Sequence, residues 1–441
     1  MLCSYRKILE ISLPILLGMI IHQMVGMTDT AFLGRVSAID LGASALAGVF
    51  YIMIFMLAAG FGVGVQIIIS RRNGEQNFEK IGTVTYQGIS FLFASAVFII
   101  AATLLFAPDI LRLIISSEEV LHKTLIYLDI RIYGLLFAFP MVIFRSFFIG
   151  ITQTKVLTYN AIIILAVNIV LDYILIFGKF GFPEMGIAGA ALASVIAECF
   201  AVIFFIVYML LNIDFKKYGF LNFIFYKSNI LIQILRLSIW TMLQYFISMA
   251  TWFLFLVAIE NLGEKALAIS NILRNVSAFP FMIVAALGAT ASTITGNLIG
   301  EGLDSEVKNS SLKIIKLTYI LVISLSVFML AFPQMICRIY TDDLELIQNG
   351  LSAYYASFTT YMTLVPGMIL LSVVSGTGKT KDAMYLELIS LVAYTLNVWY
   401  VVIYLRADLY ICWTCEHSYN ILLSILTYVY LKRNKWCCQI V

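Results

Sequence analysis

Two carboxylic acids stand inside stretches that are otherwise apolar: Asp29 towards the end of Ile8–Phe32, and Asp172 towards the end of Val156–Phe177. Asn168 precedes Asp172 by four residues, so on a helix the two share a face. A third apolar stretch, Ile187–Leu211, carries Ser194 and, four residues on, Glu198. An acid well inside a membrane span costs about 2.5–3.5 kcal/mol on insertion scales, and such residues usually mark a path for ions or substrate. Carboxylate, amide and hydroxyl oxygens are the ligands a hard cation such as Na+ takes, while a carboxyl removed from water can carry a proton instead. The residue types at 29, 168, 172 and 194 leave both open. His22, seven residues before Asp29 on the same helical face, and Glu198 are candidates to extend a proton path. The plain alternatives are a hydrogen-bonded core histidine, a glutamate paired with a helix neighbour, and an aspartate held by an arginine such as Arg131.

The elements that must position these groups follow from composition. Hydrophobic residues make up 62% of the 441 and charged residues 12%, with a mean hydropathy of +0.98. A water-soluble domain carries about 25% charged residues, so lipid is the solvent here. Twelve apolar runs are long enough to span a bilayer: Ile8–Phe32, Ser44–Ile69, Gly82–Phe106, Leu125–Gly150, Val156–Phe177, Ile187–Leu211, Ile230–Ile259, Ala268–Leu298, Leu317–Phe332, Leu351–Ser375, Ala383–Leu405 and Leu409–Leu431. Each is expected to be a helix, because an open sheet would leave backbone groups unpaired in hydrocarbon. The expected class is an all-α integral membrane protein. The first run lacks a small-residue cleavage site and reads as a retained span rather than a leader.

The chain repeats itself at an offset of 226. Ile8-Leu9-x-x-Ser12 returns as Ile234-Leu235-x-x-Ser238, Gly74-Glu75 as Gly300-Glu301, Pro140 as Pro366, Thr154-Lys155 as Thr380-Lys381, and Tyr159 as Tyr385. This is a duplication. Six spans per copy is an even number, so both copies enter the membrane from one side and their pseudo-two-fold axis runs along the membrane normal. The expected organisation is an N-terminal six-helix bundle over 1–211, a polar, basic cytoplasmic linker over 212–229, and a C-terminal six-helix bundle over 230–441. Most of the 28 lysines and arginines, Arg71, Arg72, Lys216, Lys217, Lys379 and Lys381 among them, fall on the side of the N-terminus. The positive-inside rule then puts both termini in the cytoplasm of a multi-pass protein of the cytoplasmic (inner) membrane. A net charge of +3 follows from this asymmetry and does not suggest nucleic-acid binding.

The copies differ where the costly residues lie. At the offset of 226, Asp29 corresponds to Phe255, Asn168 to Tyr394 and Asp172 to Val398. The cation-binding group is therefore expected in the N-terminal bundle. Two bundles rocking about their common axis would supply alternating access.

Other signals are weaker. Ser375-Gly376-Thr377-Gly378-Lys379-Thr380 imitates a phosphate-binding loop, but Val373 stands where that motif needs glycine, so no use of ATP is expected. Cys412-x-x-Cys415 with His417 nearby lacks a second ligand pair and reads as packing; Cys437-Cys438 could be acylated. Asn275-x-Ser277 lies in a span and Asn309-x-Ser311 on the cytoplasmic side, so neither is expected to be glycosylated. No Ser-His-Asp or HExxH arrangement is present, and no enzyme is expected. The 32 Phe, 24 Tyr and 17 Met mostly line lipid and helix contacts, with a minority available to a deformable surface for aromatic cations. Gly60-x-Gly62-x-Gly64 and Gly186-x-x-Gly189-Ala190 are strips that let helices approach closely.

Taken together, Asp29-Thr30-x-x-x-Gly34, Leu41-Gly42-Ala43, Gly74, Asn168-x-x-x-Asp172 and the run Met185 to Ser194 resemble the multidrug and toxic compound extrusion (MATE) family, over about Ile8 to Leu431. The resemblance implies a twelve-helix antiporter that expels organic, often cationic, compounds in exchange for Na+ or H+. It implies a cation site made of Asp29, Asn168, Asp172 and Ser194, with no cofactor beyond the coupling ion. The expected partners are a small organic substrate and membrane lipid, and the chain is expected to act as a monomer. Some members also use acids in the C-terminal bundle; none stands around Ser248 or Pro366-Gly367, so an N-terminal site alone is expected. The alternatives are a lipid-linked oligosaccharide flippase of the same superfamily, which would favour extra spans or an arginine-rich cleft where only Arg145 and Arg274 qualify, and a membrane enzyme or receptor.

Overall fold

The computed structural model describes residues 4–221, 228–341 and 343–433. Within them every regular element is helical, one of the two arrangements that satisfy all backbone groups in hydrocarbon. The first copy comprises α1 (Tyr5–Leu33), α2 (Ala38–Gly74), α3 (Glu79–Ile114), α4 (Glu118–Arg131), α5 (Leu135–Gly150), α6 (Lys155–Phe177) and α7 (Ile187–Asn212). A 3-10 turn, Ile132–Gly134, joins α4 to α5, so that they form one span. The second copy comprises α8 (Ser228–Glu260), α9 (Glu264–Gly300), α10 (Glu306–Ala331), α11 (Pro333–Cys337), α12 (Leu344–Gly376), α13 (Thr380–Val398), a π-helical turn (Trp399–Tyr404), α14 (Leu409–Thr414) and α15 (Glu416–Lys432).

The duplication is written into the helix ends. Ala38 and Gly74 bound α2, and Glu264 and Gly300 bound α9; both ends differ by 226 positions. Glu118–Gly150 and Leu344–Gly376 match in the same way, except that the second is one unbroken helix where the first has its 3-10 turn. Among the described residues eleven helices are long and apolar enough to cross a membrane by themselves. The twelfth span, expected as one run over Leu409–Leu431, is broken at Cys415 into α14 and α15. Cys412 and Cys415 are buried at that break, and His417 bonds Thr359 and Thr363 through its two ring nitrogens. The run that imitates a phosphate loop is the turn between α12 and α13, where Thr377 Oγ1 donates to Val374 O at 2.7 Å.

Residues Leu17–Met242 form one compact unit, and Met1–Leu16 together with Leu243–Val441 form another. In the first, α2 packs on α4 and α5, and α6 on α7. The glycine strip of α2 receives the start of α8. Thr241 Oγ1 donates to Gly60 O at 2.7 Å and Ser238 Oγ to Phe61 O at 3.1 Å, small polar residues acting as glue where apolar side chains gain nothing over lipid. The chain beyond α7 folds back onto α3: Gly82 N donates to Tyr218 O at 2.8 Å and Tyr86 Oη to Phe220 O at 2.9 Å. Residues 222–227 of the expected linker, Lys227 among them, and the Cys437-Cys438 pair lie outside the described residues, while 228–229 already begin α8. In the second unit α12 packs on α9 and α15, and α13 on α15.

Candidate functional site

Three helices carry the expected cation-site residues. Asp29 lies one turn before the end of α1, Asn168 and Asp172 lie on one face of α6, and Ser194 lies two turns into α7. Gly189 sets how closely α6 and α7 approach, since a Cβ there would stand 2.7 Å from the backbone of Leu175. The structure brings the four together. Ser194 Oγ donates to Asp29 Oδ2 at 3.3 Å, and Asp29 also interacts with Asn168 and Asp172. Asn168 and Asp172 are fully buried, and Ser194 is 7% exposed. Five polar atoms here are buried with no hydrogen-bond partner among the described residues: Asp29 Oδ1, both oxygens of Asp172, and Nδ2 and Oδ1 of Asn168. Buried polar atoms are nearly always bonded in native proteins. Two carboxylates buried side by side repel unless a cation or a shared proton lies between them. Four acceptor oxygens, three of them from two carboxyl groups and one from an amide, form a donor set that fits Na+ or H+.

Glu198 and His22 do not join that group. Glu198, one turn beyond Ser194, takes both prongs of Arg131: Nη2 to Oε1 at 2.6 Å and Nη1 to Oε2 at 2.9 Å. Tyr51 donates its hydroxyl to the same carboxylate, and its ring lies 3.8 Å below the Arg131 guanidinium. His22 is exposed in this chain, two turns back along α1, and the charges that act on it are those of Arg145 and Arg131. Sequence reasoning missed Tyr51, Tyr127 and Gly134. Tyr127, buried one turn before Arg131 on α4, lies within the electrostatic reach of Arg131 and of Asp29, Asp172 and Glu198. Nothing about an isolated tyrosine in an apolar run marks it out.

A family model described as MatE matches residues 14–174 and again 237–400, so both copies and most of the chain are covered. The chain belongs to the MatE family. The probable multidrug resistance protein NorM of Pasteurella multocida is 27% identical over 390 residues, 87% of this chain and 83% of the relative. The probable multidrug resistance protein NorM of Thermotoga maritima is 24% identical over 445 residues, 98% of this chain and 93% of that one. Two solved structures share the fold across 97% of this chain and 95% of theirs. One is an outward-facing multidrug resistance MATE family transporter of the MOP superfamily (TM-score 0.89, 18% identity), the other a MOP superfamily transporter from Pyrococcus furiosus (TM-score 0.88, 19% identity). The all-α membrane fold with twelve spans is thus the one that MatE transporters have.

One expectation for this MatE chain needs correcting. No acid was foreseen around Ser248, yet Glu387 reaches it from α13. Ser248 Oγ donates to Glu387 Oε1 at 2.5 Å, Gln244 Nε2 to Oε2 at 2.5 Å, and Tyr419 Oη to Oε1 at 3.1 Å. Glu387 is 5% exposed. The second unit therefore also holds a buried carboxylate, but one whose oxygens are both satisfied by donors. This acid belongs to neither the seventh nor the tenth span but arrives from the eleventh. At the offset of 226 its counterpart is Ala161, so comparing the copies at Asp29 and Asp172 could not reveal it.

Proposed function

We propose that this MatE transporter exports organic, cationic, drug-like compounds in exchange for Na+ or H+ by alternating access, with Asp29, Asn168, Asp172 and Ser194 holding the exchanged cation. The observation that carries the reading is the set of buried, unpartnered oxygens on Asp29, Asp172 and Asn168. An arrangement so poorly satisfied by the protein itself is costly unless a positive charge completes it. From outside, the cation enters this layer and weakens the hold on the cargo; the cargo leaves, access switches, and the cation escapes inward. Mutual weakening of two ligands is the thermodynamic requirement of such exchange.

The names of the relatives, multidrug resistance proteins, support an organic cargo. They lend nothing to an oligosaccharide flippase. We further propose that both termini face the cytoplasm, that one chain suffices, and that His22 extends a proton path along α1 when the exchanged cation is H+.

The test is efflux of a fluorescent cationic dye from proteoliposomes under an imposed Na+ or pH gradient. Wild-type chain should respond to one of the two gradients, which names the coupling ion. Asp172→Asn should abolish that response. Undiminished gradient-driven efflux by a well-expressed Asp172→Asn chain overturns the mechanism.

A further inference from the structure

We propose that Glu198 is a positioning residue for cation coupling: it holds Arg131 away from Asp29 and Asp172, and so keeps their site dependent on an exchangeable cation. The inference rests on the cation-site reading above and gives Glu198 a role as a fixed counter-ion rather than a proton relay. Its starting point is geometric. Arg131 and Glu198 make a two-pronged ion pair at 2.6 and 2.9 Å, with side chains 13% and 8% exposed. Tyr51 supports both members, its ring under the guanidinium and its hydroxyl 3.3 and 3.4 Å from the two carboxylate oxygens.

The backbone beside this pair carries no side chain. A Cβ on Gly134 would overlap both Arg131 Nη1 and Glu198 Oε2, so the ion pair fills the space a side chain would take. Gly134 closes the 3-10 turn Ile132–Gly134 that interrupts the fourth span. In the second copy the matching helix, α12, runs unbroken, and Ser357 and Ser424 stand where Arg131 and Glu198 are expected from the offset of 226. The copy that has Asp29 and Asp172 thus also has the arginine, its glutamate and the 3-10 turn; at the matching positions the second copy has two serines and an unbroken helix.

The two centres are close enough to interact. Glu198 lies one turn along α7 from Ser194, which donates to Asp29. Arg131 acts electrostatically on Asp29, and Tyr127 feels both centres at once. An arginine is always charged, and its planar fork matches a carboxylate with two parallel hydrogen bonds. Left unpaired at this spot, it would serve Asp29 and Asp172 as a built-in cation that never dissociates. With Glu198 in place, the charge of Arg131 is spent, and the aspartates must take their cation from solution.

Dye efflux from proteoliposomes, measured against the concentration of the driving cation (Na+ or H+, whichever drives wild type), separates this role from a merely structural one. Glu198→Gln should raise the half-saturating cation concentration at least tenfold, because Arg131 then competes for the site. Tyr51→Phe, which loosens the carboxylate without altering charge, should raise it two- to threefold. The double variant Glu198→Gln with Arg131→Met, which removes both charges, should return it to within threefold of wild type. A structural pair would instead leave the double variant as impaired as the single one. That outcome, or an unchanged cation dependence in Glu198→Gln or Tyr51→Phe, overturns the proposal. Should Glu198→Gln not fold, the other two variants decide it. Asp172→Asn is run alongside: coupling that survives in it defeats the cation-site reading itself, whereas coupling lost there and intact in Glu198→Gln defeats only the role given to Glu198.

Discussion

Phe255 and Tyr394 pack with ring centroids 6.3 Å apart, at the very positions of the second copy that correspond to Asp29 and Asn168 in the first. Both are buried, and Trp413 meets Phe255 edge-on at 5.6 Å. One ancestral arrangement of helices has thus been finished in two ways. In the first copy the space between the spans is lined with oxygen donors that the protein leaves unpaired. In the second it is filled by aromatic rings, with the Tyr394 hydroxyl the one buried group of that pair left without a partner among the described residues. Apolar filling is the stable solution, and the polar one is retained where a ligand completes it.

If the aromatic group is a plug, removing its centre should cost stability and nothing specific. Phe255 is 1% exposed, so Phe255→Ala should destabilise by about 3–5 kcal/mol, the range for truncating a buried phenylalanine. Thermal melting of the detergent-solubilised protein measures this. Chains that still fold should keep the wild-type half-saturating cation concentration. A shifted cation dependence would place the plug in the coupling machinery.

Glu387 should respond to the shape of its replacement more than to its charge. Gln244, Ser248 and Tyr419 all donate to it. Glu387→Gln keeps an acceptor for Ser248 and Tyr419, and Gln244 can turn its own amide to meet the new one, so a loss of about 1 kcal/mol is expected. Glu387→Leu strands three donors, each costing about 1–3 kcal/mol, and should melt far lower. Equal melting temperatures for the two variants would mean that the hydrogen bonds carry little of the stability.

Much of this was legible in the chain, for identifiable reasons. The offset of 226 returned as matched ends of α2 and α9 because glycine and polar residues punctuate both copies alike. Asp29 and Asp172 were legible because an acid in lipid is rare enough to stand out by type and depth alone, and Asn168 because it shares a helix face with Asp172. Partner choice was not legible. Arg131 could have served either aspartate, and it is Glu198, 67 positions away, that takes it, a matter of how α4 and α7 pack. The 3-10 turn at Ile132–Gly134 ends on the glycine beside that pair, and no local signal announces it. The break at Cys415 escaped notice too, because hydropathy averages over a window and does not see one interrupted turn.

Close helix approach gives a further prediction. A Cβ on Gly60 would lie 2.6 Å from Met242 Cα and 2.8 Å from Met242 N, atoms of backbone that cannot step aside. Gly60→Ala should therefore cost about 1–3 kcal/mol as overpacking. Gly48, on the same helix, has nothing within 4 Å of its Cβ position. Gly48→Ala should stay within about 0.5 kcal/mol of wild type, or gain slightly from better helix propensity. Melting curves of the two single variants compare them directly, and similar losses at both sites would show that the contact with α8 is loose.

The proposed cation site should be unstable for the same reason that it would bind a cation. Asp172 presents two buried oxygens with no partner, and Asp29 and Asn168 present three more unpaired atoms beside it. Asp172→Leu removes both oxygens and one charge, so in buffer free of the driving cation it should melt above wild type, by about 1–3 kcal/mol, the usual penalty of an unmet buried group. A bound cation stabilises only the folded state, by about 2.7 kcal/mol at a hundred times its dissociation constant. Adding the driving cation should therefore raise the melting temperature of wild type, close the gap, and leave Asp172→Leu unmoved. The same variant should carry no gradient-driven efflux, which makes stability and transport move in opposite directions at a single residue. A variant that melts below wild type in cation-free buffer, together with a wild type indifferent to Na+ and H+, would mean that the unpaired oxygens are met by the protein itself and that no ion belongs there.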